Sequence, residues 1–348
     1  MQIRSSRSFT VLILAIGALV LPNAALSLGQ TKYVSLQPGP GSFRLAAGGH
    51  AAPVWVDSGD FPGVIRAAHD LQADVERVTG QAPAFLGASA KLKGETVLIG
   101  TIGKSSVIDR LIREHKIDAS GIAGKWEATL VQVVAKPLPG VERALVIAGS
   151  DKRGTIFGIY DVSEQIGVSP WYWWADVPVR HAGALYVAAG RYVHGEPAVR
   201  YRGIFLNDEA PALTGWVNEK YGGYNSKFYV KVFELLLRLK ANYLWPAMWG
   251  SAFNEDDPEN ARLADEYGIV MGTSHHEPML RAQQEWKRHG NDIWDYSRNG
   301  EVLRKFWADG IERNKNFEST ITLGMRGDGD MPMSEGENIA LLQKIVAD

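Results

Sequence analysis

The chain has 348 residues, 37 basic and 39 acidic side chains, a net charge of -2 and no cysteine. Missing thiols exclude a disulfide framework, a thiolate metal site and a cysteine nucleophile. Near-neutral charge gives no overall pull towards nucleic acid or an acidic membrane, and 45% hydrophobic with 22% charged residues describes a chain able to bury cores.

At the N-terminus, Arg4 and Arg7 precede an apolar run over 11–21, then Pro22 and the small residues Ala25 and Ser27. A charged start, a short apolar stretch and a small-residue exit predict a secretory signal over 1–27. The run is too short for a comfortable permanent span. The mature protein is expected to be periplasmic or secreted from a bacterium, with no membrane attachment.

The region 30–195 reads as a small α/β sandwich. A strand is expected over 53–57. Helical spacing follows at Val64, Ala67, Leu71, Val75 and Val78. Further strands are expected over 95–101, 128–135 and 143–148, and helices over 106–115 and 155–166, with Gly167 as a C-cap. Gly103-Lys104-Ser105 resembles the end of a phosphate loop, but Leu98 stands where the first glycine belongs. At 150–154, Ser-Asp-Lys-Arg-Gly opens a helix after a strand. Either Arg153 and the free N–H groups hold an anion, or Ser150 or Asp151 simply caps the helix. Trp171, Trp173 and Trp174 form a dense aromatic segment, read as a wedge at a domain junction with sugar contact as the second reading.

From residue 196 the pattern changes to repeated strand–helix units. Strands are expected over 202–206, 242–244, 269–271 and 320–325. Helices are expected from Asn225 or Ser226, over 258–267, 279–289 and 301–314, and from near Glu335. Each strand ends in functional side chains: Asn207, Asp208 and Glu209; Trp245 and Trp249; His275, His276 and Glu277; Arg326, Asp328 and Asp330. Chemistry after every strand favours a (β/α)₈ barrel, whose active site lies on that face. Only four units are present, so residues 196–348 are expected to form the first half of a barrel.

Facing carboxylates serve glycoside hydrolysis. One protonates the leaving oxygen, and the other activates water or attacks the anomeric carbon. Trp249 offers a stacking face and Arg326 a bidentate partner for a substrate carboxylate. A metal is not expected. His275 and His276 are adjacent rather than i, i+4, and Asp328-x-Asp330 meets Pro332 where a calcium loop needs a ligand.

The strings YRGIFLNDE (201–209), ELLLRLKANYLWPAMW (234–249), GTSHHEPM (272–279) and GMRGDGD (324–330) resemble glycoside hydrolase family 115, the xylan α-1,2-glucuronidases. GSDKRGTI (149–156) and VSPWYWWAD (168–176) look like that family's first domain. The resemblance implies removal of glucuronic or 4-O-methylglucuronic acid from glucuronoxylan or glucurono-xylooligosaccharides, with inversion and without a cofactor. It implies Glu209 and Asp330 as catalytic carboxylates, with Asp208 in reserve. Arg326, His275, Trp249, Asn207, Asp328, Glu277 and Arg153 are the expected substrate-binding residues. An inverting pair stands ~6.5–9.5 Å apart. Family members are longer, so the chain is expected to be an N-terminal fragment, inactive alone and homodimeric when full length. Two rivals stand beside this reading: another exo-glycosidase acting on an amino sugar, and a non-catalytic carbohydrate-binding protein.

Overall fold

Alternation of side chains decides how the main sheet is covered. In the computed structural model, which describes residues 31–348 except 88, 89, 291, 292, 335 and 337, a six-stranded sheet runs in the order Arg191–His194, Thr129–Ala135, Val141–Gly149, Gly94–Thr101, Val54–Val56, Phe85–Leu86. Val54, Val56, Val97, Ile99, Leu145 and Ile147 face the first core. Their neighbours Trp55, Leu98, Val146 and Ala148 face the second. A period of two therefore loads both faces. Helices Pro62–Thr79 and Lys152–Gln165 cover the first face, and Ser106–Arg113 the other, through Ile108 and Leu111. The central strands pair in parallel, while Thr129–Ala135 and Val141–Gly149 form an antiparallel hairpin. The expected signal at 1–27 lies outside the described residues.

A four-stranded antiparallel sheet went unread in the sequence. Its order is Val34–Ser35, Ala184–Val187, Phe43–Ala47, His50–Ala51. These strands are two to five residues long, and Val34–Ser35 and Phe43–Ala47 find Ala184–Val187 far along the chain, so no local period marks the sheet.

The third sheet is parallel, in the order Gly203–Phe205, Tyr243–Trp245, Val270–Met271. Gly203 is required there, because an added Cβ would lie 1.8 Å from the Tyr243 carbonyl oxygen. Helix Ser226–Arg238 connects the first pair; Asn225 is its cap, accepting from the Lys227 N–H. Helix Glu259–Tyr267 connects the second pair, and Tyr296–Asn314 leads on to a parallel bridge between Met271 and Ser319. The expected strand over 320–325 does not form beyond that bridge. Ile321 and Leu323 stay exposed, and the Thr322 N–H and carbonyl are not both spent on a ladder: its carbonyl accepts from Met279 N. The helix expected over 279–289 begins only at Gln283, since Pro278 opens a separate turn in which Met279 takes φ 55°. The start expected near Glu335 lies outside the described residues; the final helix described is Ile339–Ala347.

One core runs through both regions. It joins Val64, Leu71 and Ile159 to Phe228, Val232, Leu236, Leu244 and Ile269. Tyr33–Asp348 accordingly form one compact unit. A separate cluster of Trp286, Trp294, Leu303, Phe306, Trp307 and Met325 sits beneath the last loops. Among the described residues no helix is long and apolar enough to cross a membrane.

Candidate functional site

Three loops leave the C-terminal ends of the parallel strands, and a fourth follows the Ser319 bridge. After Gly203–Phe205 the chain delivers Asn207 and Glu209 to solvent and turns Asp208 inward, to 1% exposure. Asp208 Oδ2 accepts from the Trp249 N–H at 2.9 Å, tying the first loop to the second. Burial raises the Asp208 pKa from its ordinary value, against hydrogen bonds from Met248 and Trp249 that lower it. Asp208 thus supports the Trp249 loop.

Trp249 is half exposed and its ring centroid lies 6.1 Å from that of His276. His276 is buried, which lowers its pKa, and its ring is 4.9 Å from that of His275. His275 remains exposed and places Nε2 3.0 Å from Asp330 Oδ1. The same oxygen lies 3.0 Å from Arg326 Nε, while Arg326 Nη2 donates to the Asp330 backbone carbonyl at 3.3 Å. Asp330 therefore sits between a guanidinium and an imidazole. Its φ of 69° turns the side chain back onto both.

Gln283, absent from the sequence reading, fastens these loops from below. Its side-chain amide donates to Asp328 Oδ1 at 2.6 Å, and its backbone N–H donates to Glu277 Oε1 at 3.0 Å. Nothing in a lone glutamine after a turn signals this; only the fold brings the loops to it. Glu277 is buried, and burial first, with Glu285 and Asp208 nearby, pushes its pKa up to about 8. It is held protonated at neutral pH, beneath the exposed His275. Asp208 Oδ1, Ser274 Oγ and His276 Nδ1 are buried here without a hydrogen-bond partner among the described residues.

The structure brings together Asp208, Trp249, His275, Glu277, Arg326, Asp328 and Asp330. Asn207 and Glu209 stand on the exposed rim, with the Glu209 N–H 3.4 Å from Asn207 Oδ1. Arg153 requires correction. It is buried, donates to Glu127 at 2.5 Å and to Glu318 at 2.7 Å, and lies over the Trp126 ring. Its cap is Asp151, accepting from Gly154 N at 2.7 Å. With every direction filled by protein, Arg153 is no substrate ligand; it binds the main sheet's helix to the fourth loop's base.

Ligand atoms of His275, His276 and Asp330 fall within 4.8 Å of one another, a spacing a cation can use. The Arg326 guanidinium on Asp330 opposes a second positive charge at that oxygen.

Residues 194–348 match the model of glycosyl hydrolase family 115. Among solved structures, the chain resembles a family GH115 4-O-methyl-α-glucuronidase with specificity for decorated arabinogalactans, at 34% identity and a TM-score of 0.76. That alignment covers 88% of this chain and 40% of the other, so the chain spans well under half the length of this relative. A GH20 β-N-acetylhexosaminidase from Streptomyces coelicolor A3(2) is 15% identical with a TM-score of 0.39, covering 68% of this chain and 44% of that one. Among curated proteins nothing matches.

Proposed function

We propose, for a chain that belongs to glycoside hydrolase family 115, that the face carrying Arg326, Asp330, His275 and Trp249 removes glucuronic or 4-O-methylglucuronic acid from a plant polysaccharide. The observation that carries this is Arg326 itself. Its Nε and Nη2 hold Asp330, and Nη1 makes no bond among the described residues while the side chain is 48% exposed. A guanidinium anchored on one edge and open on the other suits a uronate carboxylate.

Glu209 and Asp330 are the proposed carboxylate pair. One donates a proton to the glycosidic oxygen as the C–O bond breaks. The other takes a proton from water as that water attacks the anomeric carbon from the opposite side. Trp249 offers a stacking face to the sugar. Glu277, Asp328 and Gln283 keep the loops in register without touching it. The substrate proposed first is glucuronoxylan. The GH115 relative's specificity for decorated arabinogalactans supports a second reading, in which the same uronate is cut from arabinogalactan side chains.

In this account residues 30–195 are an α/β domain and residues 196–348 supply the first units of a (β/α)₈ barrel in an exported enzyme. Ile204, Phe205, Ile321 and Leu323 expose apolar side chains around the parallel strands. We therefore expect residues 1–348 by themselves to associate and to hydrolyse poorly. Proton NMR of the reaction tests the chemistry. An α-linked uronate cleaved with inversion appears first as the β-anomer; the α-anomer appearing first would remove the inverting pair.

A further inference from the structure

A second aromatic cleft lies on the other flank of helix Ala212–Tyr221. Tyr172, Trp173, Trp174, Asp176, Trp216 and Lys220 line about 770 Å³ of it. The rings are fixed in place. Tyr172 donates its hydroxyl to Glu234 at 2.9 Å, and Trp174 donates its indole N–H to the Lys231 carbonyl at 3.1 Å. Trp173 packs edge-on to Trp174 at 4.9 Å, and Trp216 lies 5.8 Å from Trp174 and 5.8 Å from Tyr221. At the rim, Asp176 is exposed and makes no hydrogen bond or ion pair among the described residues. Among the described residues Lys220 pairs with its neighbour Glu219 alone, also exposed.

Lys231 Nζ lies 5.3 Å over the Trp173 ring, so the partly exposed Trp216 and Tyr172 carry the aromatic surface of the cleft. Aromatic rings beneath an exposed acid and base match a pyranose. The ring's C–H face stacks on the aromatics, and its hydroxyls bond to both signs of charge. An acid and a base together give no bias towards phosphates, and the charged rim interrupts the continuous apolar strip that an amphipathic helix would need.

The helix itself connects this cleft to the proposed active face. Leu213, Trp216 and Lys220 follow i, i+3, i+7 spacing and line the aromatic cleft. Thr214 and Asn218 lie on the opposite flank, in a smaller cleft shared with Trp249 and Gly250. Thr214 also donates to the Asp208 carbonyl. One helix, ~10 Å across with its side chains, separates the two clefts.

We propose that the aromatic cleft is a secondary binding site for a neutral stretch of polysaccharide, which it holds while a charged branch reaches Arg326. This rests on the carbohydrate reading of the active face, but it is tested separately. Xylohexaose and a neutral galactan oligosaccharide are titrated into the chain by calorimetry, with glucuronic acid in parallel. The wild type should bind at least one neutral oligosaccharide. Trp216→Ala should weaken that binding about tenfold or more, as loss of an aromatic anchor does. The exposed double variant Asp176→Ala/Lys220→Ala, which leaves the ring cluster intact, should weaken it too. Arg326→Ala should leave it unchanged while reducing glucuronic acid binding. No neutral oligosaccharide bound by the wild type, or binding unchanged in both cleft variants, overturns the proposal. Neutral binding lost in the cleft variants while Arg326→Ala leaves glucuronic acid binding intact supports this site and counts instead against the uronate reading.

Discussion

His275 Nε2 and Asp330 Oδ1 stand 3.0 Å apart, joining residues 55 positions distant in sequence. The contact bridges the loop after Val270–Met271 and the loop after the Ser319 bridge, and Arg326 approaches the same oxygen. It places a carboxylate, an imidazole and a guanidinium at one point on the strands' C-terminal face, where parallel α/β folds bind ligands.

Replacing Arg326 with alanine should weaken glucuronate binding by about 10- to 100-fold, the effect of losing a charge-assisted hydrogen bond. Binding of neutral oligosaccharides should not change. Calorimetry with glucuronic acid and with xylose oligomers reads both. Arg326→Lys should recover only part, because an ammonium lacks the planar fork.

Glu277 predicts a dependence of stability on pH. Its folded pKa, about 8, lies above the ordinary value of 4.5. The protonated form is the one the fold prefers, so its contribution is complete below pH 4.5 and declines as pH rises towards 8. The melting temperature should fall across that window. In Glu277→Gln, which keeps an acceptor for the Gln283 N–H, the decline should flatten, with a relative gain on the order of a few kcal/mol at pH 8. Parallel slopes for both proteins would show that Glu277 ionises normally.

Arg153 predicts a structural defect without a binding defect. Glu127 is fully buried and accepts from Arg153, Arg202 and Asn242. Arg153→Ala leaves that carboxylate undercompensated and should cost about 3 kcal/mol in urea unfolding. Arg153→Met combined with Glu127→Gln should restore much of the loss. Glucuronate affinity should stay as in the wild type.

Legibility in the sequence followed local pattern. Strands Gly94–Thr101, Thr129–Ala135 and Val141–Gly149 and helix Pro62–Thr79 lay where period and turn residues put them. The Val34–Val187 sheet edge did not show, since two-residue strands gain their partners from distant segments. Trp173 and Trp174 do pack against the helix Ser226–Arg238 region, through Lys231 and Phe228. At the site, Trp249 and His275 come from loops that follow the parallel strands Tyr243–Trp245 and Val270–Met271, whereas Arg326 and Asp330 come from the segment after the Ser319 bridge, where the expected strand does not form. The inward turn of Asp208, the burial of Arg153 and the bridging by Gln283 were not readable. Alternation in a loop has no fixed phase, and a buried arginine and an exposed one look alike in a string of letters.

The central claim is best tested by uronic acid release. The polypeptide carrying these loops, in the longest reading frame that contains them, is incubated with glucuronoxylan and with decorated arabinogalactan, and free glucuronic and 4-O-methylglucuronic acid are quantified for the wild type and Asp330→Asn. The account predicts release from at least one polymer, reduced about 100-fold or more in the variant. No uronic acid from either polymer, or equal release by Asp330→Asn, would contradict it.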